Sequence, residues 1–266
     1  SLKEMAKKLI SIDKMKDEFL INTSHELQTP LNGIINISET LAEGKYGSVN
    51  KEQKEELQSI LTVSRRLSFL IKDIIDFERI KRNEMEFSLK VIDIKSASEV
   101  VVAVLKYLIQ SKNIEILINI PEKIPPVLAD ENRLLQVMYN LIGNAIKFTE
   151  NGSIALLAEE NEEFIKVSIK DTGIGISKDK QKNLFNAFTQ AETEISSNYG
   201  GNGLGLYISQ QLLERMNGKI FLEWSEPQKG TCFSFLLPKA IGELVDREEM
   251  LEQPFEEVHD ITKVKN

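Results

Sequence analysis

The chain has 266 residues, of which 41% are hydrophobic and 28% charged, as is typical of a globular protein with one or two domains. With 33 Lys and Arg against 41 Asp and Glu, the net charge is −8, which argues against binding to nucleic-acid phosphates. Its one cysteine, Cys232, excludes an internal disulfide framework and a cysteine-rich zinc site. No apolar run is long enough to span a membrane.

The first 85 residues predict two long amphipathic helices. Apolar residues at heptad-like spacing run from Leu2 to Leu41, residues 43–50 carry a loop signal, and a second apolar face runs from Leu57 to Ile75. A lone hairpin leaves one side of its apolar seam uncovered, so a second copy would complete a four-helix bundle. A generic coiled-coil spacer is the alternative.

From about Phe87 the pattern predicts an α+β domain with a mixed sheet. We expect Asn151-Gly152 to form a hairpin-type turn, and residues 240–266 to be an acidic linker or tail. The predicted elements are a strand at 91–94, a helix at 96–110, a strand at 114–120, a helix at 130–148, strands at 153–158 and 164–170, a helix at 206–216, and strands at 219–224 and 231–237.

His25 is the first candidate for chemistry, because it lies off the heptad seam and should face solvent. Pro30 removes a helical hydrogen bond to the carbonyl group of Glu26 and loosens the helix there. If the Glu26 carboxylate accepts from Nδ1 of His25, it fixes the tautomer that leaves Nε2 as a nucleophile. Thr29 lies four residues after His25 and so on the same face. A surface histidine near a kink is the alternative.

Three polar residues follow one another on the helix predicted at 130–148. Asn140, Asn144 and Lys147 are spaced by four and three residues, which places them on one face. Two amides and an ammonium group suit Mg²⁺ and phosphate oxygens. The alternative is an ordinary polar outer face.

Two glycine-rich segments are candidates for a ligand site. The first begins at Asp171 directly after a strand and contains Gly173 and Gly175, and its aspartate could accept a hydrogen bond from an exocyclic amine such as that of adenine. The second, residues 200–206, opens a helix, and amide groups at a helix N-terminus bind anions. It matches neither the Walker A pattern nor G-x-G-x-x-G. An ordinary turn and a flexible loop are the alternatives.

Taken in order over residues 10–238, these segments resemble the sensor histidine kinase family of two-component signalling. The segment around His25 looks like the H box of that family, and residues 140–147 look like the N box. Residues 171–175 resemble the G1 box, residues 184–188 the F box and residues 201–205 the G2 box.

The resemblance implies an all-α helical hairpin that dimerises as a four-helix bundle, followed by an α+β Bergerat-type ATP-binding sandwich. Residues 1–20 would be an incoming coiled-coil signalling helix, and residues 10–85 the dimerisation and histidine phosphotransfer domain. Residues 86–239 would form the catalytic ATP-binding domain. ATP and Mg²⁺ are the cofactors that it implies.

The resemblance also assigns residue roles. His25 would be the phosphoacceptor, Glu26 its base or orienting partner, and Thr29 would position water for dephosphorylation of a response regulator. Asp171 would select adenine, Asn144 would ligate Mg²⁺ and Lys147 would meet phosphate. The nucleotide-binding set would be Asn140, Asn144, Lys147, Asp171, Gly173, Gly175, Phe185, Phe188, Gly201, Asn202, Gly203, Leu204 and Gly205.

The implied partners are a second copy of the chain and a response-regulator receiver domain, in the same chain or another. We expect neither nucleic acid nor membrane contact, a cytoplasmic location, and a parent chain that is longer, as in a hybrid kinase. Gln28, Asn198 and Asn202 depart from the usual family residues, which leaves a dimeric phosphatase or scaffold as an alternative. A Bergerat-fold ATPase is a further alternative, but Asn140 stands where such enzymes place a glutamate.

Overall fold

The structure, a computed structural model, describes residues 23–24, 26–109, 112–189 and 202–240. The predictions made for residues 1–20, for His25, Asn198 and Gly201, and for nearly all of the tail from 240 to 266 lie outside the described residues.

The described chain begins with two helices joined by a turn. Helix α1 runs over residues 26–42, with residues 23 and 24 also helical, and it continues through Pro30. Helix α2 is Lys51–Lys81, and it begins at a capping box in which Asn50 and Gln53 exchange side-chain and backbone hydrogen bonds. The two helices therefore form the expected hairpin.

A small apolar cluster and one ion pair hold the hairpin together. Leu31 of α1 packs with Ile71 and Ile75 of α2, and Arg65 Nη2 lies 2.5 Å from Glu39 Oε1. The hairpin nevertheless leaves apolar side chains about half exposed or more, which is the uncovered seam that the heptad pattern predicts. These side chains are Leu27, Ile34, Ile37, Ile60, Val63 and Leu67.

The second domain is built on a five-stranded sheet in the order β2-β4-β5-β7-β6. Strand β2 pairs with β4 in parallel and the other neighbours are antiparallel, so the predicted mixed sheet is confirmed. Strands β1 and β3 form a separate antiparallel pair. The strands are β1 Leu89–Ile92, β2 Asn113–Asn119, β3 Val127–Asp130, β4 Asn151–Glu160, β5 Phe164–Asp171, β6 Lys219–Glu226 and β7 Gly230–Pro238.

Helices of this domain pack against the sheet and against one another. They are α3 Ile94–Leu105, α4 Glu131–Phe148, a short α5 Lys178–Gln181 and α6 Gly205–Arg215. One continuous core joins the helices to alternate strand residues such as Ile154, Ile165 and Phe235, all fully buried. Asp130 caps α4 by accepting from the backbone N–H of Arg133. The layered α/β architecture confirms the predicted fold class.

The structure differs from the local predictions at three places, and at two of them the cause is tertiary. Ile94 opens α3 instead of ending a strand, because Asp93 caps the helix, and after Leu105 the chain tightens into a 3₁₀ turn, Lys106–Ile109. The sequence pattern predicts no strand at 127–130, after the prolines, but strand β3 forms there because it pairs with β1. Asn151 and Gly152 are not a hairpin-type turn but the start of β4, because they pair in parallel with Asn113 and Ile114 of β2.

The C-terminal half of α2 lies against the second domain. The Phe69 and Tyr139 rings stack with centroids 4.9 Å apart, and Arg215 Nη2 donates to the carbonyl oxygen of Ile80 at 2.8 Å. Buried Asp76 accepts from Gln136 Nε2 at 2.7 Å and from Arg133 Nη1 at 3.3 Å. The domains thus meet through mixed apolar and charge-assisted contacts.

Among the described residues, no helix is both long enough and apolar enough to cross a membrane.

Candidate functional site

One face of α4 supplies a row of polar side chains. Asn140, Asn144 and Lys147 all line a single open cavity of about 770 Å³. Asn140 donates through Nδ2 to Ser209 Oγ at 2.9 Å, and its Oδ1 accepts from Nδ2 of Asn144 at 3.3 Å. This pairing leaves the carbonyl oxygen of Asn144 as a hard donor, the kind of ligand that Mg²⁺ takes. The helical spacing therefore brings the three residues together as predicted.

Asp171 ends β5 and lines the same cavity. It is 6% exposed, and its Oδ1 accepts from the backbone N–H of Gly173 at 2.8 Å. Burial raises the pKa of Asp171 to about 6, and backbone hydrogen bonds from Gly173 and Thr231 oppose the rise. A buried carboxylate with remaining acceptor capacity is suited to an amino group on a planar base.

The turn after Asp171 depends on glycine. Gly175 has φ +69, and a Cβ there would overlap the carbonyl oxygen of Glu226. The preceding residue, Ile174, donates its N–H to the carbonyl of Phe148 at the end of α4 and accepts from the N–H of Gln228. The turn is thus held between α4 and the β6–β7 connection. Of the two predicted glycines, Gly175 lines the cavity and Gly173 lies outside its lining.

The glycine-rich segment before α6 forms another wall. Asn202, Gly203 and Gly205 line the cavity, whereas Leu204 is fully buried as the N-cap of α6. Asn202 Oδ1 accepts from the Leu204 N–H at 3.1 Å. Because leucine has no polar side chain to cap with, the first amides of α6 keep their capacity to bind an anion.

The cavity suits an adenine nucleotide in shape and chemistry. Its apolar lining includes Ile169, Ile174, Ile176, Leu184 and Phe233 around Asp171, and its polar lining includes the α4 amides, Lys147 and Lys180. A planar base fits the first part and phosphate oxygens the second. No cluster of three or more His, Cys, Asp or Glu side chains able to hold a metal occurs in the described ranges.

Two residues of α2 also line this cavity, and sequence analysis missed both. Leu70 and Asp73 reach it across the domain boundary. Asn202 Nδ2 donates to Asp73 Oδ2 at 3.2 Å. Burial raises the pKa of Asp73 to about 6, the hydrogen bond from Asn202 opposes this, and the nearby Asp76 carboxylate adds to it. An aspartate on an amphipathic helix carries no local signal of such a contact.

The predicted F-box aromatics do not line the cavity. Phe185 packs against the core with an edge-to-face contact to Phe233, its centroid 6.3 Å away. Phe188 is 65% exposed and meets the edge of Phe77 of α2 at 5.3 Å. Leu184, between them and α5, is the residue of this segment that lines the cavity.

The H-box residues that are described lie on α1. Glu26 and Thr29 are exposed, and Gln28 is half-buried. His25 lies outside the described residues. Exposure makes the Glu26 and Thr29 side chains accessible to another domain or to water.

The side chain of Asn140 and its hydrogen bonds argue against the ATPase alternative. Its amide is held by Ser209 on one side and Asn144 on the other. An amide has no basicity with which to activate water, so this site lacks the general base that ATP hydrolysis would need at that position.

Comparison with known families agrees with this geometry. Residues 15–83 match the model described as the His Kinase A (phospho-acceptor) domain. Residues 129–241 match the model described as histidine kinase-, DNA gyrase B- and HSP90-like ATPase. The first covers the helical hairpin, and the second covers the part of the cavity-bearing domain that begins with α4.

Two curated relatives cover most of the chain. The signal transduction histidine-protein kinase BarA of Escherichia coli strain K12 is 38% identical over 228 residues, which is 84% of this chain and 24% of BarA. Hybrid signal transduction histidine kinase F of Dictyostelium discoideum is 37% identical over 234 residues, 86% of this chain and 21% of that protein. The chain thus spans about a quarter of the length of these relatives.

A solved structure shows the same arrangement of elements. The crystal structure of full-length ShkA in complex with AMPPNP matches with a TM-score of 0.65 and 31% identity, over 84% of this chain and 46% of that one. A phosphoacceptor hairpin followed by an ATP-binding domain, matched by both family models and by relatives named as histidine kinases, places this chain in the sensor histidine kinase family.

Proposed function

We propose that this chain transfers the γ-phosphoryl group of ATP to His25 and passes it on to an aspartate in a response-regulator receiver domain. The observation that carries the proposal is the convergence of Asn140, Asn144, Lys147 and Asp171 on one cavity in a chain that also carries a phosphoacceptor hairpin. When bound, ATP supplies the phosphoryl group and Mg²⁺ neutralises its charge.

In this proposal some residues bind the nucleotide and others take part in the phosphoryl transfer. Asp171 holds the base, while the Asn144 oxygen and Lys147 hold the metal and the phosphate chain. His25 Nε2 forms the new bond to phosphorus as the bond from phosphorus to the β–γ bridging oxygen breaks, and Glu26 accepts the ring proton. The attack requires a neutral imidazole, the form in which Nε2 carries a free lone pair.

The uncovered seam of the hairpin supports a homodimer. Ile37 and Val63 are 63% and 67% exposed in the single chain, and a second hairpin would cover them as a four-helix bundle. The receiver domain would approach the exposed part of α1 near Glu26. Since relatives such as kinase F are named as hybrid kinases, we propose that the receiver domain lies in the same parent chain. Because the reaction consumes ATP, we place this part of the chain in the cytoplasm.

Phosphatase activity toward the regulator is a second function, and Thr29 supports it. Thr29 is an exposed residue three positions after Glu26 on α1, where its hydroxyl group could position water against an acyl phosphate. We expect Thr29→Ala to lower the ratio of receiver dephosphorylation to autophosphorylation by about tenfold, which corresponds to the loss of one hydrogen bond of about 1.4 kcal/mol.

Incubation with γ-labelled ATP and Mg²⁺ tests the kinase proposal directly. We expect label that is acid-labile and alkali-stable in the wild type and absent from His25→Gln. Label that persists in His25→Gln, or bound ATP that yields no labelled protein, would contradict it; the latter would favour the phosphatase or scaffold.

A further inference from the structure

A carboxylate from the helical hairpin occupies the wall of the cavity proposed to bind ATP. Asp73 lines the cavity together with Asn202 and accepts a hydrogen bond from its Nδ2 at 3.2 Å. Asn202 lies at the start of the segment that opens α6, and its Oδ1 already accepts from the Leu204 N–H. Asp73 therefore engages the side-chain amide of a residue two positions before the N-cap of α6.

The charges around the cavity make this carboxylate unfavourable for a polyphosphate. The described lining contains Asp73, Asp171 and Asp179 against Lys147 and Lys180. Although burial raises the pKa of Asp73 to about 6, the group is ionised at pH 7.5. Without Asp73, the charges of the remaining lining residues balance, so this one side chain makes the lining net negative.

We propose that Asp73 is an internal competitor of the phosphate chain: while α2 is docked, it holds Asn202 and repels the anionic part of the nucleotide. This inference rests on the proposed ATP-binding function of the cavity. Binding of a nucleoside polyphosphate then opposes the docked position of α2, so that occupancy of the cavity and release of the hairpin are coupled by linkage.

Contacts elsewhere along α2 hold Asp73 in position against the second domain. The ion pair of Asp76 with Arg133 and the stacking of Phe69 on Tyr139 hold the helix on either side of Asp73. Neither pair lines the cavity. The docked position can therefore persist without Asp73, and the effect of its charge can be separated from the effect of docking.

The test is calorimetric binding of adenosine, ADP and ATP to the full 266-residue chain at pH 7.5, with and without Mg²⁺. Asp73→Asn keeps the shape of the side chain and removes its charge. We expect Asp73→Asn to tighten ATP binding about tenfold, ADP binding by less, and adenosine binding not at all. Because burial disfavours the ionised carboxyl, the unfolding temperature of the ligand-free variant should be no lower than that of the wild type.

Two variants serve as controls. Glu56→Gln removes an exposed negative charge from the same helix, outside the cavity lining. It should leave all three affinities unchanged within about twofold, because solvent and salt screen the interaction of an exposed charge with a bound nucleotide. Asp76→Asn weakens docking at a residue outside the cavity lining. By the linkage above it should tighten binding in the same order of ligands, and this effect should be lost when Asp73→Asn is also present.

Three results would overturn the inference while leaving the proposed function intact. Equal effects of Asp73→Asn on adenosine and ATP would mean a structural role. Weaker Mg²⁺-dependent ATP binding would mean that Asp73 ligates the metal. An effect of Asp76→Asn on ATP binding that is undiminished in the Asp73→Asn background would mean that docking, and not the charge of Asp73, decides affinity. Wild-type chain that binds no nucleotide at all would overturn the ATP-binding function and the inference together.

Discussion

Lys112 Nζ donates to the carbonyl oxygen of Ile146 at 2.9 Å, at the C-terminal end of α4. It also reaches the carbonyl oxygens of Lys147 and Thr149 and the carboxylate of Glu150. The Lys112 side chain is only 6% exposed. A buried cation thus donates hydrogen bonds to carbonyl groups that have no partner within the helix. Its positive charge also interacts favourably with the negative end of the helix dipole. Lys147 lies at this end of α4, and the turn that follows Asp171 contacts it through the hydrogen bond from the Ile174 N–H to the carbonyl oxygen of Phe148.

We expect Lys112→Met to lower the free energy of unfolding by about 2–3 kcal/mol, because several buried carbonyl groups lose their donor at once. Urea denaturation measures this loss. Lys123, an exposed lysine in a turn, is the matched control, and Lys123→Met should change stability by less than about 0.5 kcal/mol. Equal losses in the two variants would show that Lys112 has no special role at the end of α4.

Asp171 should make the ligand-free chain less stable as the pH rises. Burial raises its pKa from 3.8 to about 6 in the folded state, so folding favours the protonated carboxyl. This contribution to the free energy of unfolding is fully present below about pH 4 and is lost as the pH rises through about 6. The loss amounts to about 2–3 kcal/mol.

Asp171→Asn removes this titration. The variant should therefore be more stable than the wild type at pH 7.5 and similar to it at pH 4, as measured by thermal unfolding without nucleotide. Asp73, whose pKa burial also raises to about 6, should leave some pH dependence of the same sign in the variant. An Asp171→Asn chain that is less stable than the wild type at pH 7.5 would contradict the expected cost of burying the carboxylate.

Two glycines facing or lying within α4 should respond oppositely to alanine. A Cβ on Gly205 would overlap Asn140 Oδ1, whereas a Cβ on Gly143 would meet nothing within 4 Å. We expect Gly205→Ala to displace Asn140, weaken ATP binding and cost about 1–3 kcal/mol of stability. Gly143→Ala should instead stabilise the chain by about 0.5–1 kcal/mol through helix propensity. Thermal unfolding and calorimetric binding check both, and a stabilised Gly205→Ala with unchanged affinity would refute the close approach.

The exposed seam of the hairpin should control the oligomeric state. Ile37→Glu or Val63→Glu places a charge where a second hairpin would bury it, and an unpaired buried charge is strongly unfavourable. We expect the wild type to be a dimer and each variant a monomer by light scattering coupled to size exclusion. A wild-type chain that is monomeric at micromolar concentration, or variants that still dimerise, would rule out this seam as the interface.

Local patterns in the sequence were sufficient for much of the site. The spacing of Asn140, Asn144 and Lys147 places them on one helical face whatever the rest of the fold does, because the helical period alone decides it. The glycine at position 175 likewise reflects a local backbone requirement. The order of helical hairpin and α/β domain followed from the change in hydrophobic period near Phe87.

The remaining features needed the tertiary structure. Strand β3 exists because β1 pairs with it, and residues 151–152, predicted as a turn, are the start of β4 because they pair with β2.

The two most consequential contacts join residues far apart in the chain. Asp73 meets Asn202 across 129 positions and Lys112 meets Ile146 across 34. By itself the sequence determined which residues share a helix face or a turn, since neighbours within a few positions are related by backbone geometry alone. The tertiary structure decided which charge enters the cavity and which cation closes α4, because the docking of one element on another leaves no periodic trace in either segment.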